Sequence, residues 1–405
     1  MNEMYRLPAV DKARPSPAWI AALRRRYRTE GHIDRLLTRK LERRAGPGFR
    51  PLALEEMEAA LGRLLAARIG GGFAIRDTRW LWGGASKLQV AFTLEWDRPG
   101  VGRERTAMVL RMEPAESIVE TSRLREFQLI RAMEGVVPVP PVFWCDEDGD
   151  FLPYPGLVYG FAPGVAKPRH DGDRVSGVGS VLNADLRARL APQFVEHLAR
   201  IHTVDFSGAD LSAFDRPATG TTECAAWGLD WWERVWAEDG DEDIPLLRLA
   251  AAWLRRNMPP LDRASIVHAD YRLGNFLFTE EDGRISAWLD WELGRIGDRH
   301  QDLAWTTSRA FSTPADDGST PLICSMMPEA AFFEAYEIAS GLTVQPKSLH
   351  WHKVYNAFSL VVLLLATGYR VARAGKTHQD VLVAWLIGIG YTILDDMRDQ
   401  LEKGA

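Results

Sequence analysis

The sequence predicts an α+β chain of two lobes behind an N-terminal helical extension. Two observations carry that expectation. Helical periodicity fills the first 70 residues and most of the chain beyond 185, while segments that alternate apolar and polar residues lie between them. A second, short β-rich interlude at 264–290 interrupts the later helices.

Residues 17–45 read as helix broken near Gly31, and Gly46-Pro47-Gly48 marks the stop. Leu54 to Ile69 is a second helical stretch, closed by Gly70-Gly71-Gly72. Strands are expected near 73–82, 88–96 and 107–112, and Leu88 to Trp96 alternates with a period near two. A helix from about 116 to 134 follows. Pro138, Pro140 and Pro141 then interrupt the chain before strands near 141–145 and 157–161. The expected units are a helical extension at 1–70, a small lobe at 71–160 and a larger, mostly helical lobe at 161–405.

Hydrophobic residues make up 46% and charged residues 26%, which excludes a disordered chain. Residues 1–70 hold 15 Lys+Arg against 8 Asp+Glu, leaving about −13 for the rest of a chain of net −6. Such a head suits an acidic partner, a membrane surface or nucleic acid, or a helical face docked on the acidic body. Trp19, Leu23, Leu36 and Leu37 within it favour docking, so no nucleic-acid partner is expected. A homodimer through the extension is left open. Cys145, Cys224 and Cys324 lie far apart without zinc spacing, which suits a reducing, cytoplasmic setting. The longest uncharged run, Val354 to Tyr369, falls short of the ~20 residues that span a bilayer and reads as a buried helix. No transmembrane segment is expected.

The chemistry concentrates in Ser265-Ile-Val-His268-Ala-Asp270-Tyr-Arg272-Leu-Gly-Asn275 and in Trp288-Leu289-Asp290-Trp291-Glu292. Asp282-Gly283 between them signals a two-residue hairpin turn. That turn sets Glu281 opposite Arg284, Leu277 opposite Trp288 and Asn275 opposite Asp290. Opposed residues have Cβ atoms ~4.5–5.5 Å apart, so an amide oxygen and a carboxylate would share one end of the hairpin. Such a pair suits a hard cation like Mg²⁺. Asp270, in the loop entering the hairpin, can orient and deprotonate an attacking hydroxyl.

The His-x-Asp-x-x-x-x-Asn run with its hairpin and Asp resembles the aminoglycoside phosphotransferase and choline kinase-like family, relatives of the protein kinases. The resemblance implies a two-lobed protein kinase-like fold over roughly 73–400, with ATP or GTP as co-substrate and a small-molecule hydroxyl acceptor. It assigns the catalytic base to Asp270, the magnesium ligands to Asn275 and Asp290, and a contact with the transferred phosphate to Arg272. Gly83-Gly84-Ala85-Ser86-Lys87 looks like the phosphate loop, with Gly83, Gly84 and Ser86 as nucleotide contacts. Arg111 stands where the family places a phosphate-binding lysine, and Glu126 matches its helix partner. Gly156 to Gly164 looks like the hinge, with Val158 and Tyr159 against the nucleotide; Gly160 replaces a common acidic residue. Arg111, the Asp-Tyr-Arg-Leu-Gly-Asn wording and Tyr369-Arg370-Val-Ala-Arg-Ala-Gly375 are similar to kinase-like domains fused to acyl-CoA dehydrogenases. That subgroup implies hydroxyacyl-CoA acceptors, whose phosphates the basic head would meet.

Other readings stand beside these. His268 titrates near neutrality and rivals Asp270 as base, but such a residue is more often a packed loop histidine. Arg111 with Glu126 also reads as a structural ion pair, and Lys87 as a solvated charge. Asp298 and Asp302 read as caps of the next helix. Trp231, Trp232 and Trp236 read as core or groove lining. Trp231 and Trp232 cannot share a helix face, which points at least one toward the acceptor. His300, His350, His352 and His378 show no metal spacing. Alternatives to a kinase of hydroxyacyl-CoA are an aminoglycoside or choline-type kinase, a nucleotide-binding pseudokinase with a regulatory role, and slow nucleotide hydrolysis by water.

Overall fold

The computed structural model describes residues 11–81, 86–169, 179–318 and 320–404. Helix α1 (Pro17–Arg26) opens with proline in its first turn, and Ser16 caps it by accepting from the Trp19 amide. Gly31 then begins α2 (Gly31–Arg43), so the expected break yields two helices. Helix α3 (Leu54–Ile69) ends at Gly70, whose φ of 77° favours a residue without a side chain.

These three helices face two ways. Trp19, Ile20 and Leu23 of α1 pack with Leu41 of α2, and Ile33, Leu36 and Leu37 of α2 join Trp231, Trp232 and Val235 of the helical lobe. Met57, Leu61, Leu64 and Leu65 of α3 instead cover Val90, Leu94 and Leu110 of the sheet. The basic head is thus docked by apolar burial and by ions. Lys40 pairs with Glu238 at 2.6 Å and Asp239 at 3.1 Å. Burial opposes the charge of Asp239, but Lys40, Arg370 and Arg44 outweigh it and hold its carboxyl well below the usual range.

The sheet contains β1 (Ala74–Trp80), β2 (Leu88–Arg98), β3 (Gly102–Met112), β4 (Val142–Asp146) and β5 (Gly156–Gly160). Its order is β1-β2-β3-β5-β4, antiparallel throughout. Helix α4 (Arg123–Met133) starts later than expected, because Ser122 caps it by accepting from Arg125 N while residues 113–122 stay irregular. It packs on β4 and β5 and on the turn at Trp291–Leu293, which joins the sheet to the second lobe.

That lobe contains α5 (Ala184–Thr203), α6 (Glu223–Asp239), α7 (Pro245–Arg256), β6 (Ser265–Val267), β7 (Phe276–Thr279), β8 (Arg284–Trp288), β9 (Arg295–Gly297) and α8 (His300–Thr306). After these come β10 (Ser312–Pro314), β11 (Pro321–Ile323), α9 (Glu329–Ser340), α10 (Pro346–Val362), α11 (Tyr369–Arg373) and α12 (Asp380–Lys403). Strands β9 to β11 lie outside the expected interlude. A π-helical turn at Leu363–Gly368 links α10 to α11. The resulting 28-residue helix is long and apolar enough to span a membrane by length and composition, but 83% of its apolar window is buried. The expectation of a buried helix holds.

Hairpin β7–β8 departs from the expected register. Thr279 pairs with Arg284, leaving a four-residue loop at 280–283, and a bulge separates the Leu277 and Phe278 pairs. Thr279 Oγ1 and the Arg284 amide both bond Asp282, and Gly283 takes φ 63°. Side-chain bonds of Asp282 therefore widen the turn. Phe276, not Leu277, faces Trp288, and the Asn275 carbonyl accepts from Leu289 N at 2.8 Å. Asn275 does not directly oppose Asp290; Asp290 is the residue after its partner.

Candidate active site

The loop from β6 to β7 rests on an aromatic floor. Tyr271 stacks on Trp288 with ring centroids 3.9 Å apart, and its hydroxyl donates to the Phe194 carbonyl at 2.6 Å. His268 lies tilted against Trp291, ring centroids 4.5 Å apart, and bonds the Leu289 carbonyl through Nε2 at 2.9 Å. It is a packed loop residue. The Asp302 carboxylate accepts from His268 N at 2.8 Å and Ala269 N at 2.7 Å, with Ala269 at φ 65°. Asp302 therefore lies inside α8 and binds the loop rather than capping the helix. Asp298 accepts from His300 N and Nδ1 at the start of α8. Asp262, Asp298 and His300 form a cluster with metal-ligand potential, yet both His300 nitrogens are engaged, Nε2 by Gln345 N.

Asp270 projects from this loop. Its Oδ1 accepts from Arg272 Nε at 2.9 Å and from Trp305 Nε1 at 2.7 Å. Burial raises its carboxyl above the ordinary value; Arg272 opposes the shift and the nearby Asp290 charge adds to it. Asn275 donates Nδ2 to the Asp270 carbonyl at 2.9 Å and to its carboxylate at 2.5 Å. Those bonds fix the amide and leave Oδ1 as its uncommitted oxygen. Asp290 begins the Trp291–Leu293 turn in a left-handed conformation, φ 63°, and its side chain keeps 29% exposure.

From the sheet, Arg111 on β3 reaches Glu126 of α4 at 3.4 Å, Asp290 at 2.5 Å and Glu292 at 3.2 Å. Burial works against its charge, but Asp290, Glu126 and Glu292 hold it firmly protonated. Lys87, expected as a solvated charge, is 2% exposed and sits 3.0 Å from both Glu113 and Glu292. Arg123 joins Glu113, Glu126 and Glu292. Burial opposes the charge on Glu292, and Lys87, Arg111 and Arg123 overcome it, holding the carboxyl well below its usual range. Three cations thus face four carboxylates, Glu113, Glu126, Asp290 and Glu292. The surplus negative charge suits a divalent cation.

The fit with Mg²⁺ is good on donor chemistry. Asn275 Oδ1 and the open side of the Asp290 carboxylate are hard oxygen ligands, and magnesium asks for one or two of these from protein. Gly83 and Gly84 lie outside the described residues. Ser86 is half-buried, and its carbonyl accepts from Ser117 Oγ at 3.1 Å. Val158 is fully buried in β5, between β3 and β4, in the core cluster with Val90 and Leu110. Tyr159 enters by its side chain, whose hydroxyl burial pushes up to about 12 beside Arg111. Arg272 lies over the Phe311 ring at 5.3 Å while holding Asp270. Trp231 and Trp232 do share a surface: their rings stack at 5.3 Å, and both line a cavity with Trp305 and Ala269. Sequence reasoning gave Lys87 and Asp302 other roles and missed Glu113, Glu292 and Trp305. Of these three, Glu292 carried a signal, as an acidic residue two positions after Asp290.

An antiparallel sheet joined through Arg111 and Glu126 to a helical lobe bearing Asp270, Asn275 and Asp290 defines a two-lobed, kinase-like α+β phosphotransferase. The profile of the phosphotransferase enzyme family matches residues 77–348, and the chain belongs to that family. The chain is similar to acyl-CoA dehydrogenase family member 10 of Mus musculus, 26% identical over 207 residues, 49% of this chain and 18% of that protein. It is also similar to acyl-CoA dehydrogenase family member 11 of Rattus norvegicus, 30% identical over 203 residues, 49% of this chain and 24% of that protein. The chain thus spans under a quarter of these relatives' length. Among solved structures, a Ralstonia eutropha protein assigned as an aminoglycoside phosphotransferase superposes with a TM-score of 0.57 at 20% identity, over 83% of this chain and 97% of that one. The GDP and kanamycin complex of APH(2")-IIia superposes at 0.52 and 16% identity, over 84% and 98%. Both share the fold.

Proposed function

We propose that the chain transfers the γ-phosphate of ATP or GTP to a hydroxyl of a small acceptor, hydroxyacyl-CoA thioesters being the acceptor class we favour because the relatives it matches are acyl-CoA dehydrogenase family members. The observation that carries the reading is the convergence of Asp270, Asn275 and Asp290 with Arg111 at the junction of the lobes. Asp270 accepts the acceptor's hydroxyl proton as the new O–P bond forms and the bond to the leaving nucleoside diphosphate breaks. Arg272 and Trp305 aim its carboxylate. Asn275 and Asp290 hold Mg²⁺, which supplies charge neutralisation on the phosphate oxygens when bound. Arg111, oriented by Glu126, binds phosphate with a charge it does not lose. Ser86 contacts the phosphates. The base sits against the backbone after β5, beyond Gly160, because the sheet flanks Val158 and Tyr159 on both sides. Three unpaired cysteines fit a reducing, cytoplasmic setting.

The test is nucleoside diphosphate release by the purified chain with ATP or GTP, Mg²⁺ and a panel of acyl-CoA, sugar, aminoglycoside and amino-alcohol acceptors. Acceptor-dependent release that is lost in Asp270→Asn supports the reading. Release that ignores the acceptor, or survives that substitution, refutes it.

A further inference from the structure

Residues 11–45 of the helical extension lie outside the 77–348 family match, and they hold the first turn of α4, the helix that carries Glu126. Glu30 precedes α2, but its carboxylate makes no cap for that helix. It forks onto Arg125 of α4 instead, at 2.7 and 3.4 Å, and both residues are buried, at 5% and 3% exposure. Two-point pairing of this kind fixes direction as well as distance. The Arg125 guanidinium also donates to the Ala213 carbonyl at 3.1 Å and lies over the Phe214 ring at 4.0 Å. Asp215, from the same loop, accepts from Gly31 N at 2.6 Å. Extension, loop and α4 are thereby closed into one ring of contacts.

His32 holds the cap of α4. Arg35 Nη2 donates to its Nδ1 at 3.1 Å, so Nε2 carries the proton and donates to Ser122 Oγ at 2.9 Å. Ser122 is the residue that caps α4. Burial, with Arg125 and Arg35 adding to it, pulls the imidazole down to about 4, so the ring is neutral and this tautomer holds. Ile33, Leu36 and Leu37 of α2 share a core with Ile118 and Val119 of the irregular run at 113–122 that leads into α4. The same run carries Ser117, which bonds both Lys87 and the Ser86 carbonyl. Arg125 and Glu126 are consecutive, so they point about 100° apart around the helix. One faces the extension, and the other pairs with Arg111 at 3.4 Å.

We propose that the extension is a built-in positioning element for phosphate binding: Glu30 and His32 fix the first turn of α4, and through it the Glu126 that aims Arg111. The proposal rests on the phosphotransfer reading above for the role of Arg111. It adds positioning residues that touch no nucleotide and act from outside the matched span.

Nucleotide binding reads this without turnover. Titration calorimetry on the full chain, with non-hydrolysable ATP and GTP analogues and Mg²⁺, should find affinity about tenfold weaker in Glu30→Ala and in His32→Leu, a coupling of ordinary size within one network. His32→Gln, whose amide keeps a donor for Ser122, should recover most of the loss. In a Glu126→Ala background, where α4 no longer aims Arg111, Glu30→Ala should cost less than about threefold. Leu23→Ala is the control. It loosens the α1–α2 packing, in a cluster that contains no residue of α4, and should keep the parent's affinity while lowering the urea midpoint. Glu30→Gln is read the same way should the alanine variant misfold. A Glu30→Ala affinity within about twofold of the parent, a loss above about threefold in the Glu126→Ala background, or an equal loss in Leu23→Ala would overturn the proposal. In turnover, Glu30→Ala should raise the nucleotide KM and leave the acceptor KM alone. The expected pattern of binding losses, without transfer to any acceptor, would count against the phosphotransfer reading and for the positioning role. Absence of nucleotide binding by the parent would remove both.

Discussion

Replacing Asp302 with asparagine should loosen the loop that carries Asp270. The Asp302 carboxylate is fully buried and accepts from His268 N, Ala269 N and His202 Nε2. Ala269 is held at φ 65°, a left-handed conformation that costs a non-glycine residue about 1–2 kcal/mol. Asparagine keeps one acceptor oxygen and turns an NH₂ toward a backbone donor. A hydrogen bond to a charged group is worth about 1.5–3 kcal/mol. Losing one outright and weakening the second, less the strain released at Ala269, gives a net loss of about 2 kcal/mol. Urea denaturation reads the stability, and nucleoside diphosphate release reads the rate. We expect kcat to fall about 100-fold, since a displacement near 1 Å is enough for that, while nucleotide affinity stays within about twofold. A folded Asp302→Asn protein with the parent's midpoint and kcat would refute this account of the loop.

Asp270→Ala should abolish transfer while calorimetry finds nucleotide affinity within about twofold of the parent; residual acceptor-dependent turnover would remove Asp270 as the base. Lys87→Met leaves Glu113 and Glu292 short of a buried cation and should lower unfolding free energy by about 3–5 kcal/mol in urea; a loss below about 1 kcal/mol would mean the lysine is not part of the buried network. The base works ionised, so kcat is retained above the raised carboxyl value of Asp270 and lost as pH falls through it. Trp305→Phe removes a donor that favours the carboxylate and should move this acid limb to higher pH; a limb that stays put would contradict the assignment.

The order of helices and strands was legible because α3, β2 and the α1–α2 break carry local signals in Gly70, the alternation of Leu88 to Trp96, and Gly31. That Asp270, Asn275 and Asp290 lie together was legible through their spacing, yet the register offered as the reason was not the one found. Asp282 and Thr279 close a four-residue loop by side-chain bonds, and a bulge follows, so the Asp-Gly pair alone misplaces the register. Lys87 looked solvated because its partners Glu113 and Glu292 come from other elements. Asp302 was hidden for the same reason: its partners are backbone amides far earlier in the chain. Consecutive tryptophans were expected to diverge around α6, but side-chain rotation brings the two rings to 6° of parallel. Local pattern reports the elements; long-range charge pairing and rotamers, which build this site, leave little trace in it.

Electron paramagnetic resonance of Mn²⁺ in the presence of a non-hydrolysable ATP analogue tests the core of the account most directly. Parent and Asp270→Asn proteins should show a nucleotide-dependent bound Mn²⁺, and Asn275→Ala and Asp290→Ala should lose it. Undiminished Mn²⁺ binding in both of those variants would contradict a metal held between the Asn275 amide and the Asp290 carboxylate.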